Sequence, residues 1–524
     1  MLPHYLHIGS AQDLSHNRRA YWTYRALEIL PGFLAWGTLL ATVVLPFFAP
    51  TPIALFIIAF DVYWLLKAMY LSMHMRATFS TMRGYVRRDW NADMQNVTAY
   101  APELNNARWD DLYHLIILPM YTEPHALVRE SFLGLIRSTY PHEKMIVVLA
   151  TEERAGAAAQ ETATKIVEEF GGMFRKLMVT THPYSIAGEI PGKGSNDAWA
   201  ARKVVAEYID PESIPHERVI VSVFDIDSVV HPSFFAMLTW QYLTAEKPTR
   251  SSFQPIPLFT NNIWEAPAFA RVFAFATTFW QMIQQARPEH LVTFSSHSMS
   301  LAPLVDIGYW QTNVVSEDSR VFWQCLLRFD GDWRTIPLAF PIAMDANVAP
   351  TFWQTLVNQY KQIRRWMFGV ENNPYFMYGF LHNKRIPLRT KLRALFFMIE
   401  SSHSAATHSL VIFLLGWLPV IVGGSAFATT VLSYNLPQVT RFIMTLAAVG
   451  LVANVAISIA LLPPRPPQYG KRAFLWMALQ WLLLPINLMA FGALPALESQ
   501  TRLMFGKYLG FWVTPKERHT TAGE

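Results

Sequence analysis

Val219-Ile220-Val221-Ser222-Val223-Phe224-Asp225-Ile226-Asp227 is the stretch on which the rest of the chain turns. Its β-branched, apolar run is the kind buried on both faces of a parallel sheet, and it ends abruptly in two carboxylates. In an extended chain residues i and i+2 point to the same side, so Asp225 and Asp227 can face one site together. Two hard oxygen donors at the carboxyl end of a strand suit Mg²⁺ or Mn²⁺ held against a diphosphate, and ligands of open α/β sheets bind at that end. Taken by itself, Asp-x-Asp is more often a solvated turn. The surrounding sequence decides between the two.

Outward from this strand, the spacing predicts further strands over 115–119, 145–150 and 176–181. Helices are expected over 124–138, 161–170 and 197–208, with a loop at 188–195. Repeated βαβ units imply a mostly parallel sheet covered by helices. Residues 233–370 are rich in aromatics and read as helical or irregular.

Composition adds a membrane. Of 524 residues, 52% are hydrophobic and 15% charged, with a mean hydropathy of +0.18. That excludes a purely soluble and a purely embedded chain. The net charge of +5 comes from basic residues beside hydrophobic segments, which points to membrane flanks rather than nucleic acid. The single cysteine, Cys325, rules out an intramolecular disulfide framework and sits in an apolar run as a core thiol. No cleavable signal peptide is visible in the polar N-terminus.

Apolar stretches at 30–49, 52–73, 405–422, 442–462 and 474–494 are each long enough to cross a hydrocarbon core. Within the second, Asp61 flags function and Lys67 reads as a snorkelling end residue. The expected division is a cytosolic segment (1–27), a helix pair (28–75), a cytosolic catalytic domain (76–384), an interface helix with membrane helices (385–496) and a cytosolic tail (497–524). Five crossings would strand that tail outside, so 394–436, counted as one span, is expected to hold an interface helix with a re-entrant hairpin or two short crossings.

Four more motifs follow in a fixed order. Pro119-Met120-Tyr121-Thr122-Glu123-Pro124 closes the first strand, and Lys193-Gly194-Ser195-Asn196 opens a helix where backbone N–H groups and an ammonium favour phosphate. Ser316-Glu317-Asp318 and Gln362-Ile363-Arg364-Arg365-Trp366 come later. Each alone reads as a loop, a helix cap or an interfacial anchor. Together, between membrane spans, they resemble the processive family-2 glycosyltransferases, the cellulose, chitin and hyaluronan synthases. Phe511-Trp512-Val513-Thr514-Pro515-Lys516 resembles the gating loop of cellulose synthase.

The resemblance implies a GT-A-like α/β domain and an inverting hexosyltransferase. Its substrate would be a nucleotide sugar, a UDP-sugar first, and its acceptor a growing polysaccharide that the enzyme also translocates. The alternative is a single transfer to a lipid or lipid carrier. Asp318 becomes the base, and Asp225 and Asp227 hold Mg²⁺ or Mn²⁺. Glu123, Glu152, Lys193, Arg365, Thr514 and Lys516 face the nucleotide sugar. Glu317, Gln362, Trp366 and His297 face the acceptor. One departure stands out: where the family carries an Asp on the uridine base, Thr151-Glu152-Glu153 follows the second strand. The protein is thus expected to be a multi-pass protein of the cell membrane with a cytosolic catalytic domain.

Overall fold

The computed structural model describes residues 3–515, apart from the side chains at 448, 449 and 451. Eight strands form one sheet: β1 (Tyr113–Pro119), β2 (Met145–Glu152), β3 (Lys176–His182), β4 (Val219–Val223), β5 (Val229–Val230), β6 (Ser251–Leu258), β7 (Ser298–Ser300) and β8 (Arg334–Ala343). Their order is β3-β2-β1-β4-β7-β6-β8-β5. The period-2 reading of the first strands holds residue by residue. Leu115 and Ile117 enter one core while Ile116 and Leu118 enter the other, and β2 alternates likewise.

The sheet is mostly parallel, as expected, with β6 and β8 also pairing in parallel, but it is mixed. β1, β2, β3 and β4 pair in parallel, but β7 runs antiparallel to both β4 and β6, and β5 antiparallel to β8. Three of these strands lie inside 233–370, where helical or irregular structure was expected. Prolines hid them: Pro255 and Pro257 in β6, and Pro337 and Pro341 in β8, read as strand breakers. The β6–β8 ladder slips between Gln254 and Ile256. Gln285 repairs the gap from its helix, donating from Nε2 to Gln254 O and accepting from Ala339 N–H, both at 2.9 Å. Buried backbone groups need such partners.

Helices α1 (Arg18–Val44) and α2 (Pro50–Val86) precede the sheet. α3 (Lys193–Val204), α4 (Ala268–Gln285), α5 (Glu317–Arg328) and α6 (Phe352–Met367) belong to it. After them come α7 (Leu388–Phe413), α8 (Val431–Ala460) and the broken helical segment Ala473–Met504. Four stretches are long and apolar enough to cross a membrane: Arg18–Phe47, Pro50–Val86, Val431–Ala460 and Ala473–Met504. A fifth candidate is the pair Leu388–Phe413 and Leu415–Val422, bent by 52°.

Lys67 pairs with Glu400 of α7, 333 positions away, and Asp61 accepts from Thr440 Oγ1 at 3.0 Å. The polar N-terminal segment packs onto the sheet domain. Leu6 and Ile8 are buried, and the fully buried Arg320 donates to Ile8 O at 3.1 Å and to Glu371 O at 3.2 Å.

Candidate active site

The end of β4 is tied down before its carboxylates begin. Phe224 N–H still donates to Ile117 O at 3.1 Å, and Ser228 N–H closes a turn onto Asp225 O at 2.8 Å. Asp225 and Asp227 then line one cleft, with an open volume of about 180 Å³. Asp225 Oδ2 accepts from Ser295 Oγ at 2.6 Å, and Asp227 Oδ2 from Asp345 N–H at 3.1 Å.

Lys193, the first residue of α3, reaches across this cleft. Its Nζ lies 2.9 Å from Asp225 Oδ1 and 2.8 Å from Asp318 Oδ1. Burial alone pulls an ammonium's pKa down, but Asp225 and Asp318 outweigh it and hold Lys193 charged, well above its ordinary value. Asp318 stands in the first turn of α5, beside the buried Glu317. Burial, reinforced by the Asp318 charge, pushes the Glu317 carboxyl up to about 8. Glu317 therefore holds a proton at neutral pH.

Of the residues expected at the site, Glu123, Glu152, Lys193, Asp225, Asp227, Glu317, Asp318, Gln362, Arg365, Trp366 and Thr514 all line this cleft. Glu152 arrives already paired: Arg154 grips it through Nε at 2.5 Å and Nη2 at 3.1 Å. His297 is not in the wall. It is buried behind the wall, with Nδ1 3.8 Å from Asp318 Oδ1 and Nε2 accepting from Trp310 Nε1–H at 3.3 Å. Desolvation lowers its pKa to about 4, which keeps the ring neutral. Lys516 lies outside the described residues. Ser295, in the stretch 294–298 that stands where the family has a small-residue acceptor loop, and Asp345 also line the cleft; Asp345 had no motif to announce it.

The tail closes the cleft from above. A Cβ on Gly192 would stand 2.4 Å from the Phe511 ring, so only glycine lets the two segments meet. The Arg365 guanidinium lies 4.4 Å over the same ring, and Thr514 is buried at the cleft. Tyr508 Oη donates to Glu28 at 3.0 Å and Arg25 Nη2 to Met504 O at 2.8 Å, which anchors the approach to the tail on α1.

Among the described residues, no group of three or more His, Cys, Asp or Glu side chains forms a metal cage. Two aspartates at one cleft fit the other arrangement that Mg²⁺ accepts, in which phosphates and water complete the coordination. A divalent ion bound there would supply Lewis-acid stabilisation of a diphosphate leaving group.

No protein-family model and no curated protein matches the chain. Among solved structures it is similar to mannosyltransferase PcManGT from Pyrobaculum calidifontis, crystallised with GDP-Man and Mn²⁺, at 15% identity over 77% of this chain and 99% of that one, with a TM-score of 0.38. It is also similar to S. aureus TarS 1-349 in complex with UDP-GlcNAc, at 10% identity over 62% of this chain and 92% of that one, with a TM-score of 0.31. The first is named a mannosyltransferase, and both structures hold a nucleotide sugar.

Proposed function

We propose that this protein is a membrane-embedded, inverting glycosyltransferase that extends a polysaccharide from a nucleotide-diphosphate sugar and passes the product through its own helices. The observation that carries the reading is the cleft itself: residues from five separate parts of the sequence, Lys193, Asp225, Asp318, Arg365 and Thr514, line it together. Asp318 takes the proton of the acceptor hydroxyl as its oxygen bonds the sugar's anomeric carbon. The bond from that carbon to the diphosphate breaks on the opposite face. Lys193 and Arg365 meet the negative charge that leaves with it. At rest Lys193 is ion-paired to Asp318; an arriving diphosphate competes for the ammonium and frees the carboxylate to act as base.

Contacts made by the last helical segment support a tail on the catalytic side. Arg271 donates to Gln480 at 2.7 Å, Asn487 to Phe269 O at 2.8 Å and Arg364 to Glu498 at 2.9 Å, and in the linker before the segment Pro463 O accepts from Trp264 Nε1 at 3.3 Å. These bonds hold the segment beside the sheet domain at Gln480, Asn487 and Glu498 while its other side meets α1 and α7, so it need not carry the chain across a bilayer. The crossings then number four, with the bent pair counted as one.

Mass analysis of product from purified protein, offered a panel of nucleotide sugars with Mn²⁺ or Mg²⁺, tests the reading; consumption of none of them overturns it. Sidedness is tested separately with single cysteines at Gly470 and Gly510, where a side chain meets nothing within 4 Å. Both should react with an impermeant thiol reagent from the catalytic side only, against the unreactive background of the buried Cys325.

A further inference from the structure

The cleft does not end at Trp366. Phe259, Asp345, Gln362 and Trp366 border both it and a side chamber that runs beneath α4. Asn347 projects into this chamber. It is 9% exposed, and among the described residues neither its Nδ2 nor its Oδ1 has a hydrogen-bond partner. A buried amide with both ends unmet is costly, and native structures keep such groups when something else meets them. Its position is fixed, because the neighbouring Ala346 exchanges two hydrogen bonds with the Asn262 side chain, at 2.7 and 3.0 Å.

The walls state what fits. Phe259 and Phe273 flank Trp366 at ring distances of 6.2 and 6.1 Å, and Ala270 and Ala274 leave the space that larger residues of α4 would fill. The polar lining is amide and carboxylate with one hydroxyl: Asn347, Gln359, Gln362, Asp345 and Thr277, whose Oγ1 donates to Phe273 O, with no Lys, Arg or His. An anion has no partner there, whereas a hydroxyl has acceptors for its proton and a donor for its oxygen. The open volume is about 10 Å³, room for one small group and not for a sugar ring.

We propose that Asn347 is a specificity-determining residue that receives the exocyclic hydroxymethyl group of the acceptor sugar stacked on Trp366. This rests on the transferase reading, with Trp366 as the acceptor platform. The enzyme then discriminates hexoses from pentoses by one buried hydroxyl. A site built to bond a hydroxyl rejects the analogue lacking it, because its own polar groups are left unpaired.

The test uses matched acceptor pairs that differ only in that group: glucosides with xylosides, galactosides with arabinosides, and mannosides with lyxosides. Each is presented both as the end of a soluble oligosaccharide and on an alkyl chain, so that a glycan end is told from a lipid-linked sugar. With full-length protein in lipid nanodiscs, the kcat/KM ratio of hexoside to pentoside should be about 10- to 100-fold for one pair. That ratio should collapse towards one in Asn347→Ala. It should collapse too in Ala274→Leu, which fills the chamber from the opposite wall. Loss of activity by misfolding lowers both members of a pair and leaves the ratio in place. A wild-type ratio near one, transfer to neither member, or an unchanged ratio in both variants overturns the proposal. Donor hydrolysis is followed in parallel: its absence in the wild type sinks the transferase reading instead.

Discussion

The two halves of the sheet are built by different rules. β3, β2, β1 and β4 form a regular parallel block whose ladder runs without a register slip, rich in aliphatic side chains in β1, β2 and β4. β7, β6, β8 and β5 form a mixed block interrupted by prolines, and it needs the Gln285 side chain to complete its hydrogen bonds. The regular half ends in the carboxylates and faces Lys193. The irregular half carries α4, α6 and the aromatic cluster around Trp366, next to the helices long and apolar enough to cross a membrane. Regularity fixes the charged groups at the cleft, while irregularity lets the other half bend around the aromatic cluster and the long apolar helices.

The comparison breaks most sharply at the join between the halves. Asp225→Asn and Asp227→Asn should each reduce divalent-dependent turnover by about 10³-fold or more, while leaving the fold intact. Steady-state assays with and without chelator check this, and full activity in either variant removes the metal from the site. Asp318→Asn should follow with a loss of about 10²- to 10⁴-fold in transfer. It should retain donor binding, measured by calorimetry, because Lys193 and Arg365 still meet the diphosphate.

Stability sharpens the contrast between the halves. Gln285→Leu strands the Ala339 N–H and the Gln254 carbonyl, and should cost about 1–3 kcal/mol. Ile117→Val, in the regular half, removes one buried methyl and should cost about 0.5–1.5 kcal/mol. Chemical unfolding of both variants in detergent gives the order, and equal losses mean that the side-chain patch is not structural.

A further effect concerns pH. Glu317 titrates at about 8 in the fold against 4.5 ordinarily, so the folded state binds the proton more tightly than the unfolded one. Its contribution is complete below pH 4.5 and is lost as pH rises through 8. Wild type should therefore lose stability between those limits relative to Glu317→Gln, which has no proton to lose. Parallel melting curves for the two proteins show that Glu317 is not the group if they coincide.

The sequence by itself determined the parallel block, its period-2 burial, the buried Cys325 and the chemical kinds of residue at the cleft. These are local properties: β-branched alternation, a carboxylate pair at i and i+2, and apolar length. Tertiary structure decided the rest. Prolines in β6 and β8 suppress a local strand signal that long-range pairing and a distant glutamine restore. His297 sits behind the wall because Trp310 and Phe294 hold its ring there, and Glu152 is spent on Arg154. The run 474–494 has the composition of a membrane span, but composition records only how apolar a helix is. What surrounds it, here Arg271 on Gln480, Phe269 on Asn487 and Trp264 on Phe474, is supplied by residues some 200 positions away, and no local pattern encodes a neighbour at that distance.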